Sequence, residues 1–214
     1  MCVYAAPPLA RGLEPNGVVA AQEVTATECE RSVLKIGRRH LNVLIGERAR
    51  LSGTLEEGDA RAPAGRTLSL ERREGRVWRT LENVTTRKGG RFSFSYLPHR
   101  TGAETLRVAF GGSTSAGAST RLSGHLEVFR LAGASWYGGG GTLACGGELT
   151  SSTLGVANRT LPCGTIVTLR YGGRTVRVPV VDRGPFVEGR EFDLTEATKR
   201  ELGFGDTGDL WTTS

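Results

Sequence analysis

The 214-residue sequence lacks the features that mark several common protein classes. It has no apolar run near the roughly 20 residues that a membrane-spanning helix needs, so we expect no transmembrane span. It has no Cys-x-x-Cys pair, and residues 131–214 contain no histidine. That part of the chain therefore excludes a Ser-His-Asp triad, a Cys-His pair and a histidine-ligated zinc site.

Glycine, in contrast, is abundant, with 31 residues, about twice the usual share of roughly 7%. Hydrophobic residues make up 38% of the chain and charged residues 23%, which is enough to bury a core. Dense glycine without long helical patterns predicts many turns between short strands. The sequence therefore indicates an all-β protein.

The basic charge is confined to the first part of the chain. Residues 1–130 hold 20 Lys and Arg against 13 Asp and Glu, whereas residues 131–214 hold 8 against 9. Eight of the basic residues fall in one stretch: Arg66, Arg72, Arg73, Arg76, Arg79, Arg87, Lys88 and Arg91. Such a stretch could bind an acidic polymer, either nucleic acid or an anionic wall polymer. The simpler interpretation, which we favour, is that these are the outward positions of alternating strands.

Periodicity divides the chain into three segments. Residues 1–35 show no clear pattern and are expected to form an irregular tail. In residues 36–130, short alternating apolar runs are separated by turn signals such as Glu74-Gly75 and Gly89-Gly90. Six or seven antiparallel strands of this kind predict an immunoglobulin-like β-sandwich. The sandwich shows no recognition helix or base-stacking motif, so no nucleic-acid partner is expected.

Residues 131–214 predict a separate, compact β-barrel. A hairpin is predicted from Ile166–Tyr171, a Gly172-Gly173 turn, and Arg174–Val181. Pro179 inside the second strand indicates an edge or a bulge. A single helix is predicted over Leu194–Leu202, ending at Gly203.

The four cysteines, Cys2, Cys29, Cys145 and Cys163, fit two disulfides formed in an oxidising compartment. Three connectivities are open, and we expect Cys145 to pair with Cys163; two buried free thiols are the alternative. How Cys2 and Cys29 pair is left open. The first ten residues show no clear secretory signal, so the expected secreted or cell-envelope location requires a signal already removed or a start further upstream.

Carboxylates are the remaining groups in residues 131–214 that could carry chemistry. Asp182 follows the apolar run 178–181, where partial burial would raise the pKa of a carboxyl group toward that of a general acid. An ion pair with Arg183 would oppose that effect. Asp193 precedes the predicted helix, and with Glu196 three residues later it also fits a structural helix cap.

Four ordered motifs in this segment resemble those of the rare lipoprotein A family. They are Ala134-Ser-Trp-Tyr-Gly138, Thr160-Leu-Pro-Cys-Gly-Thr165, Asp182-Arg-Gly-Pro-Phe186 and Gly189-Arg-Glu-Phe-Asp-Leu-Thr195. They span most of residues 133–213, and the resemblance stops before residue 131. It implies a six-stranded double-psi β-barrel and, as in some family members, lytic transglycosylase activity that leaves 1,6-anhydro sugars in peptidoglycan glycan strands.

The resemblance also implies residue roles. The acid and base carboxylates would be Asp182 and Asp193, assisted by Glu148, with no metal or cofactor. Trp136 and Tyr137 could stack on sugar rings, although an aromatic pair at a strand is as often part of the core. Asn158 and Arg183 complete the expected substrate contacts.

One departure from the family pattern leaves two functions open. Where the family commonly has Ala-Ala-His, this chain has Val156-Ala157-Asn158, and asparagine does not titrate near neutral pH. The first function is a secreted lytic transglycosylase. The second is a module, expansin-like or simply glycan-binding, that binds peptidoglycan without cutting it.

Overall fold

The computed structural model describes residues 29–214, which form strands and one short helix. The first strands are β1 (Ser32–His40), β2 (Asn42–Leu44), β3 (Ala49–Glu57), β4 (Ala60–Arg61), β5 (Thr67–Glu74), β6 (Val77–Thr85), β7 (Arg91–Tyr96) and β8 (Gly102–Phe110). The later elements are β9 (Ser119–Tyr137), β10 (Val156–Ala157), β11 (Ile166–Tyr171), β12 (Arg174–Asp182), β13 (Phe192–Thr195), α1 (Glu196–Leu202) and β14 (Thr207–Thr212). The predicted all-β class is confirmed. Within the described residues, no helix has the length and apolar character to cross a bilayer.

The chain divides into two compact units. The first consists of residues 29–39, Arg50–Phe94 and Thr105–Gly124, and the second of His40–Ala49, Ser95–Glu104 and His125–Ser214. Strand β1 begins at Ser32, inside the segment 1–35 that the sequence left irregular. Residues 1–28 of that segment lie outside the described residues. The predicted domain boundaries at residues 36 and 131 stay predictions.

The first unit is built from two sets of paired strands. In one, β3 pairs with β1, β4 and β7; in the other, β5 lies between its antiparallel neighbours β6 and β8. The inward residues alternate along the strands as predicted, with Leu68, Leu70, Val108 and Phe110 at most 2% exposed. The immunoglobulin-like topology itself stays a prediction.

The second unit contains a closed six-stranded barrel. Its strands run in the order β13-β10-β12-β11-β14-β9, and β9 pairs with β13 to close the ring. The β9–β13 and β10–β12 pairs are parallel, and the other pairs are antiparallel. Inward side chains from all six strands fill the interior, including Ala134, Val156, Leu169, Val178, Leu194 and Leu210. The predicted barrel is confirmed.

Two local predictions for the barrel also hold. The β11–β12 hairpin turns at Gly172 and Gly173, whose positive φ values of 55° and 86° suit glycine. Helix α1 ends at Gly203, with φ 66°. The predicted cap at its start was wrong, because Thr195 is the N-cap and its hydroxyl accepts a hydrogen bond from the backbone N–H of Thr198.

The predicted disulfide between Cys145 and Cys163 is present, with 5.5 Å between the two Cα atoms. The free-thiol alternative is therefore wrong for this pair. Closing a loop of this length stabilises the folded chain by about 3 kcal/mol on the chain-entropy model. Cys2 lies outside the described residues, and its pairing stays a prediction.

Candidate active site

Three adjacent strands bring the two predicted aspartates to one face of the barrel. Ala157 on β10 is aligned with Asp182 on β12 and with Asp193 on β13. Neighbouring strands lie about 4.8 Å apart, so the aspartate Cα atoms are separated by roughly two strand spacings. Aligned residues point to the same face of a sheet, and the small side chain of Ala157 leaves space between the two carboxylates.

A bulge turns Asp182 to this face. Val178 and Val180 point into the core, and strict alternation would send Asp182 inward with them. The pairing instead moves from Val156–Val180 directly to Ala157–Asp182, so β12 carries one extra residue, Val181. Asp193 reaches this face without a bulge. Its neighbours Phe192 and Leu194 point into the core, so regular alternation along β13 turns Asp193 to the opposite face.

The two aspartates line an open groove of about 220 Å³. Its walls come from Tyr137, Ala157, Asp182, Arg183, Gly184, Pro185, Phe186, Val187, Arg190 and Asp193. Phe186 is 81% exposed and Val187 50% exposed, which is unusual for apolar side chains. The groove thus combines carboxylates with an exposed apolar rim.

Asp182 is held by backbone donors rather than by a cation. Its Oδ1 accepts hydrogen bonds from the N–H groups of Ala144, at 2.9 Å, and Arg183, at 2.8 Å. The Arg183 guanidinium turns away to the carbonyls of Asn158 and Leu161 and to Cys163 Sγ. No ion pair joins Arg183 to Asp182 in the described structure, so the pairing considered from the sequence is absent.

Asp193 is half-buried, and burial raises the pKa of its carboxyl group. The charge of Asp182 acts in the same direction, whereas the hydrogen bond from Ser135 Oγ, at 2.7 Å, and the charge of Arg190 oppose it. Asp193 lies in the middle of β13. The alternative of a helix-cap role for Asp193 is therefore wrong, and its side chain is available to the groove.

Tyr137 places a phenol beside both carboxylates. Its Oη is buried and approaches Asp182 just outside strict hydrogen-bond geometry. Burial, the charge of Asp182, a hydrogen bond to Asp182 and the charge of Asp193 all raise the pKa of Tyr137, so the hydroxyl keeps its proton near neutral pH. Tyr137 can therefore serve as a donor inside the groove.

Two predicted residues lie elsewhere. Glu148 is exposed on the loop between β9 and β10 and accepts a hydrogen bond from Thr142 Oγ1 at 2.9 Å; it does not line the groove. Trp136 points to the opposite face of β9 from Tyr137, where it lines a separate depression. Its Nε1 donates to Asp206 Oδ1, and Lys199 Nζ lies 3.8 Å from the ring centroid.

Asn158 is 3% exposed and fully engaged with the backbone. Its Oδ1 accepts from the N–H groups of Thr160 and Leu161, and its Nδ2 donates to the carbonyl of Glu191. These bonds shape the loop that follows β10. Asn158 does not line the groove. Arg183 does, but its guanidinium donates to the carbonyls of Asn158 and Leu161 in this loop, so both predicted substrate contacts make structural hydrogen bonds.

Sequence reasoning missed four contributors to the site: Ser135, the backbone N–H of Ala144, Phe186 and Arg190. Alternation along β9 could have found Ser135, because it lies two residues before Tyr137 and so on the same face. Nothing in the sequence connects Ala144 to Asp182, since 38 residues separate them.

Most of the basic stretch in the first unit is engaged locally. Glu57 pairs with Arg66, and Glu74 pairs with both Arg72 and Arg79. Arg73 and Arg91 donate to backbone carbonyls, of Gly75 and Lys88 respectively. Arg87, Lys88 and Arg91 are exposed and line one depression with Phe92 and Ser93. The pattern favours outward strand positions for most of the stretch and leaves one small basic cluster.

Residues 131–210 match a family model that is described as DPBB_1, Lytic transglycolase. "Probable endolytic peptidoglycan transglycosylase RlpA" of Aquifex aeolicus is 44% identical over 75 residues, 33% of this chain and 33% of that protein. "Endolytic peptidoglycan transglycosylase RlpA" of Pseudomonas aeruginosa is 31% identical over 134 residues, 52% of this chain and 39% of that protein. The chain thus spans about a third of the length of the curated relatives it matches.

Among solved structures, a Streptomyces papain inhibitor overlaps 40% of this chain and 94% of its own, at 27% identity and a TM-score of 0.33. A TM-score this low says nothing about function.

Proposed function

We propose, from the premise that residues 131–210 are an RlpA-like double-psi β-barrel segment, that the protein is a lytic transglycosylase acting on peptidoglycan glycan strands. The observation that carries the proposal is the pair Asp182 and Asp193, which flank Ala157 in one open groove. Their surroundings differ, and two carboxylates in different surroundings can divide the roles of acid and base.

The two environments support a division of the acid and base roles. Burial favours the neutral form of Asp193, so Asp193 is the general acid that protonates the glycosidic oxygen. Asp182, whose Oδ1 accepts from two backbone N–H groups, is the base that takes the proton from the sugar 6-hydroxyl. The 6-oxygen then bonds to the anomeric carbon as the glycosidic C–O bond breaks. The products are a 1,6-anhydro end and a new free hydroxyl, and no water is consumed.

The rim supports a sugar substrate. Phe186 and Val187 expose apolar surface at the groove that carries the carboxylates. Apolar side chains can pack against the C–H faces of a pyranose ring, while the polar floor meets its hydroxyl groups. The neutral Tyr137 hydroxyl adds a donor beside both aspartates.

The test is chromatography of sacculus digests for 1,6-anhydro products. We expect wild type to release them and both Asp182→Asn and Asp193→Asn to lose at least 100-fold in rate, since each removes a proton-transfer group. Asp209→Asn, the same change at an exposed site on β14, is the matched control and should keep the wild-type rate. Products that persist in both groove variants would contradict the assignment of the aspartates.

Glu148 is tested separately. The sequence expectation gives it an assisting role, but its carboxylate lies on an exposed loop beside Thr142. We therefore expect Glu148→Gln to cost less than tenfold, far less than either aspartate variant.

The alternative function is a glycan-binding wall module without cleavage. Asn158, which stands where the family commonly has histidine, favours it, because its side chain is committed to three backbone groups. This alternative predicts retention on sacculi with no new products from any variant. The groove carboxylates favour the enzyme, since binding alone does not call for two acidic groups beside one another.

The proposed substrate places the protein outside the cytoplasm, in the envelope or secreted. The Cys145–Cys163 disulfide supports this location, because disulfides persist in oxidising compartments. As a further partner we propose an anionic wall polymer, bound at the exposed cluster of Arg87, Lys88 and Arg91.

A further inference from the structure

We propose that the Cys145–Cys163 disulfide is a positioning element for Asp182, so that glycan cleavage depends on this cysteine pair being oxidised. The inference rests on the proposed function. It adds Cys145, Cys163 and the backbone N–H of Ala144 to the groups that fix the position of the Asp182 carboxylate.

One end of the disulfide belongs to a glycine-rich loop that supplies a donor to Asp182. Ala144, next to Cys145, donates its N–H to Asp182 Oδ1 at 2.9 Å. Cys145 itself donates to the carbonyl of Val181 at 3.1 Å. These two contacts place residues 144–145 alongside the end of β12, at the bulge that turns Asp182 into the groove.

The rest of this loop is held mainly by bonds within itself. Leu143 donates to Gly147, Gly146 donates to Leu143, and Leu149 donates to Gly141. Gly141, Gly146 and Gly147 have positive φ values, and glycine at such positions loses more conformational freedom on ordering than other residues do. A covalent tie at Cys145 offsets that loss at the residue next to the donor.

The other end of the disulfide lies in a loop that is fixed to the same strand. Arg183 donates from its guanidinium to Cys163 Sγ and to the carbonyls of Asn158 and Leu161. Gly164 donates to the carbonyl of Val180, and Asn158 donates through its backbone N–H to the carbonyl of Asp182. Cys163 is therefore fixed relative to β12. The disulfide restricts the movement of Cys145 and, with it, of the neighbouring Ala144.

The consequence concerns the geometry of Asp182. Proton transfer requires the carboxylate to lie within hydrogen-bond reach of the sugar hydroxyl, and a misplacement of about 1 Å can cost on the order of 100-fold in rate. Without the disulfide, residues 144–145 are joined to β12 by two hydrogen bonds, from Ala144 to Asp182 and from Cys145 to Val181, and the other bonds described for this loop lie within it. Asp182 then loses one of its two fixed donors for part of the time.

The main test is the double variant Cys145→Ser/Cys163→Ser in the full chain. We expect its rate of 1,6-anhydro product release at saturating sacculi to fall at least tenfold, with half-saturation changed less than twofold. If the disulfide only stabilised the fold, its loss would lower the amount of folded protein, and the rate per folded molecule would stay at the wild-type value.

Stability is controlled with Leu169→Ala. Leu169 is fully buried on β11 and pairs with β12 and β14, away from the groove. Assayed well below both melting temperatures, Leu169→Ala should keep the wild-type rate per folded molecule, whereas the serine variant should not.

Ala144→Pro removes the donor while keeping the cysteines. Its thiol count should equal that of wild type, and its rate should fall to a similar level as that of the serine variant. Combining Ala144→Pro with the two serine substitutions should lower the rate little further, because both changes act through the hydrogen bond from Ala144 to Asp182. A combined loss equal to the product of the separate losses would overturn the proposed link.

Chemical reduction gives a reversible version of the test. Dithiothreitol transfers two electrons and two protons to the cystine, giving two thiols and its own cyclic disulfide. Activity should fall with reduction and return on reoxidation in wild type, but not change in the serine variant. The serine variant assigns the effect to this bridge rather than to another cysteine.

The outcomes separate the two proposals. A folded serine variant that cleaves at the wild-type rate overturns this inference and leaves the proposed function intact. Oxidised wild type that binds sacculi and releases no 1,6-anhydro products overturns both.

Discussion

At the scale of single residues, Asp193 carries a cost in stability that its proposed role as general acid explains. Burial raises the pKa of its carboxyl group above the ordinary value, so the folded state binds a proton at Asp193 more tightly than the unfolded state. A carboxyl group of this kind favours folding most at low pH, and that contribution is lost as pH rises through the folded-state pKa. At neutral pH Asp193 therefore lowers the stability of the fold, because its carboxyl group ionises more readily in the unfolded chain than in the folded one.

Asp193→Asn should accordingly raise the melting temperature at pH 7. The amide keeps an oxygen that can accept from Ser135 Oγ while removing the half-buried ionisable group. The gain should shrink as pH is lowered toward the ordinary carboxyl range near 3.8, where wild-type Asp193 is itself protonated. Thermal scans from pH 3.5 to 8 measure this, with exposed Asp209→Asn as the control; a gain independent of pH would contradict a charge effect.

The sequence predicted both groove aspartates but not what distinguishes them. Asp182 and Asp193 follow from the motif resemblance and from the apolar residues beside them. Their surroundings depend on Ser135 and Ala144, which are 58 and 38 residues away along the chain. Contacts at such separations are set by strand register, which local patterns do not reveal. The aromatic pair shows the same limit, since alternation alone separates Trp136 from Tyr137 but does not say which faces the groove.

At the scale of elements, the short strand β10 and the loop after it support the groove floor. The sequence predicted the β11–β12 hairpin well, because its turn glycines and alternating valines are strong local signals. It did not predict β10, which has only two residues and whose importance comes from its neighbours β12 and β13. The bulge at Val181 was anticipated only in general terms, from Pro179.

Asn158 anchors this loop, and we expect Asn158→Ala to destabilise the protein by about 2–4 kcal/mol. The change leaves two N–H groups and one carbonyl without partners in a nearly buried site, at roughly 1–3 kcal/mol for a fully buried group. Urea unfolding measures the difference. Asn158→Asp keeps the acceptor for Thr160 and Leu161 but puts a carboxylate oxygen opposite the Glu191 carbonyl in a nearly buried site, so it should also destabilise the protein. A loss well below about 1 kcal/mol for Asn158→Ala would mean that these bonds do not stabilise the loop.

At the scale of the whole molecule, charge is distributed very unevenly. The net charge of +6 comes from residues 1–130, and residues 131–214 are close to neutral. The uneven charge can be counted directly from the sequence. The all-β class, predicted from the abundant glycine and the short alternating runs, is confirmed. The sequence could not show which arginines are neutralised, because pairs such as Arg66 with Glu57 depend on side chains brought together by folding. After this pairing, the exposed cluster of Arg87, Lys88 and Arg91 is the best candidate for an anionic partner.

The triple variant Arg87→Gln/Lys88→Gln/Arg91→Gln tests that partner. If the cluster binds an anionic polymer, wild type should lose roughly 20- to 40-fold in affinity for polymer-bearing sacculi between 50 and 200 mM salt, as expected for about three released counterions. The variant should bind more weakly at low salt and show a shallower salt dependence. Release of 1,6-anhydro products from uncharged, soluble glycan should stay at the wild-type rate, because all three residues lie in the first unit and the groove in the second.

The matched control removes the same charge elsewhere in the first unit. Arg38, Arg39 and Arg50 are exposed on β1 and β3, and changing all three to Gln lowers the net charge by the same amount. If binding depends on the local cluster, this control keeps the wild-type salt dependence. If both triple variants lose affinity equally, attraction to the wall comes from the net charge of the molecule, and the cluster is not a binding site.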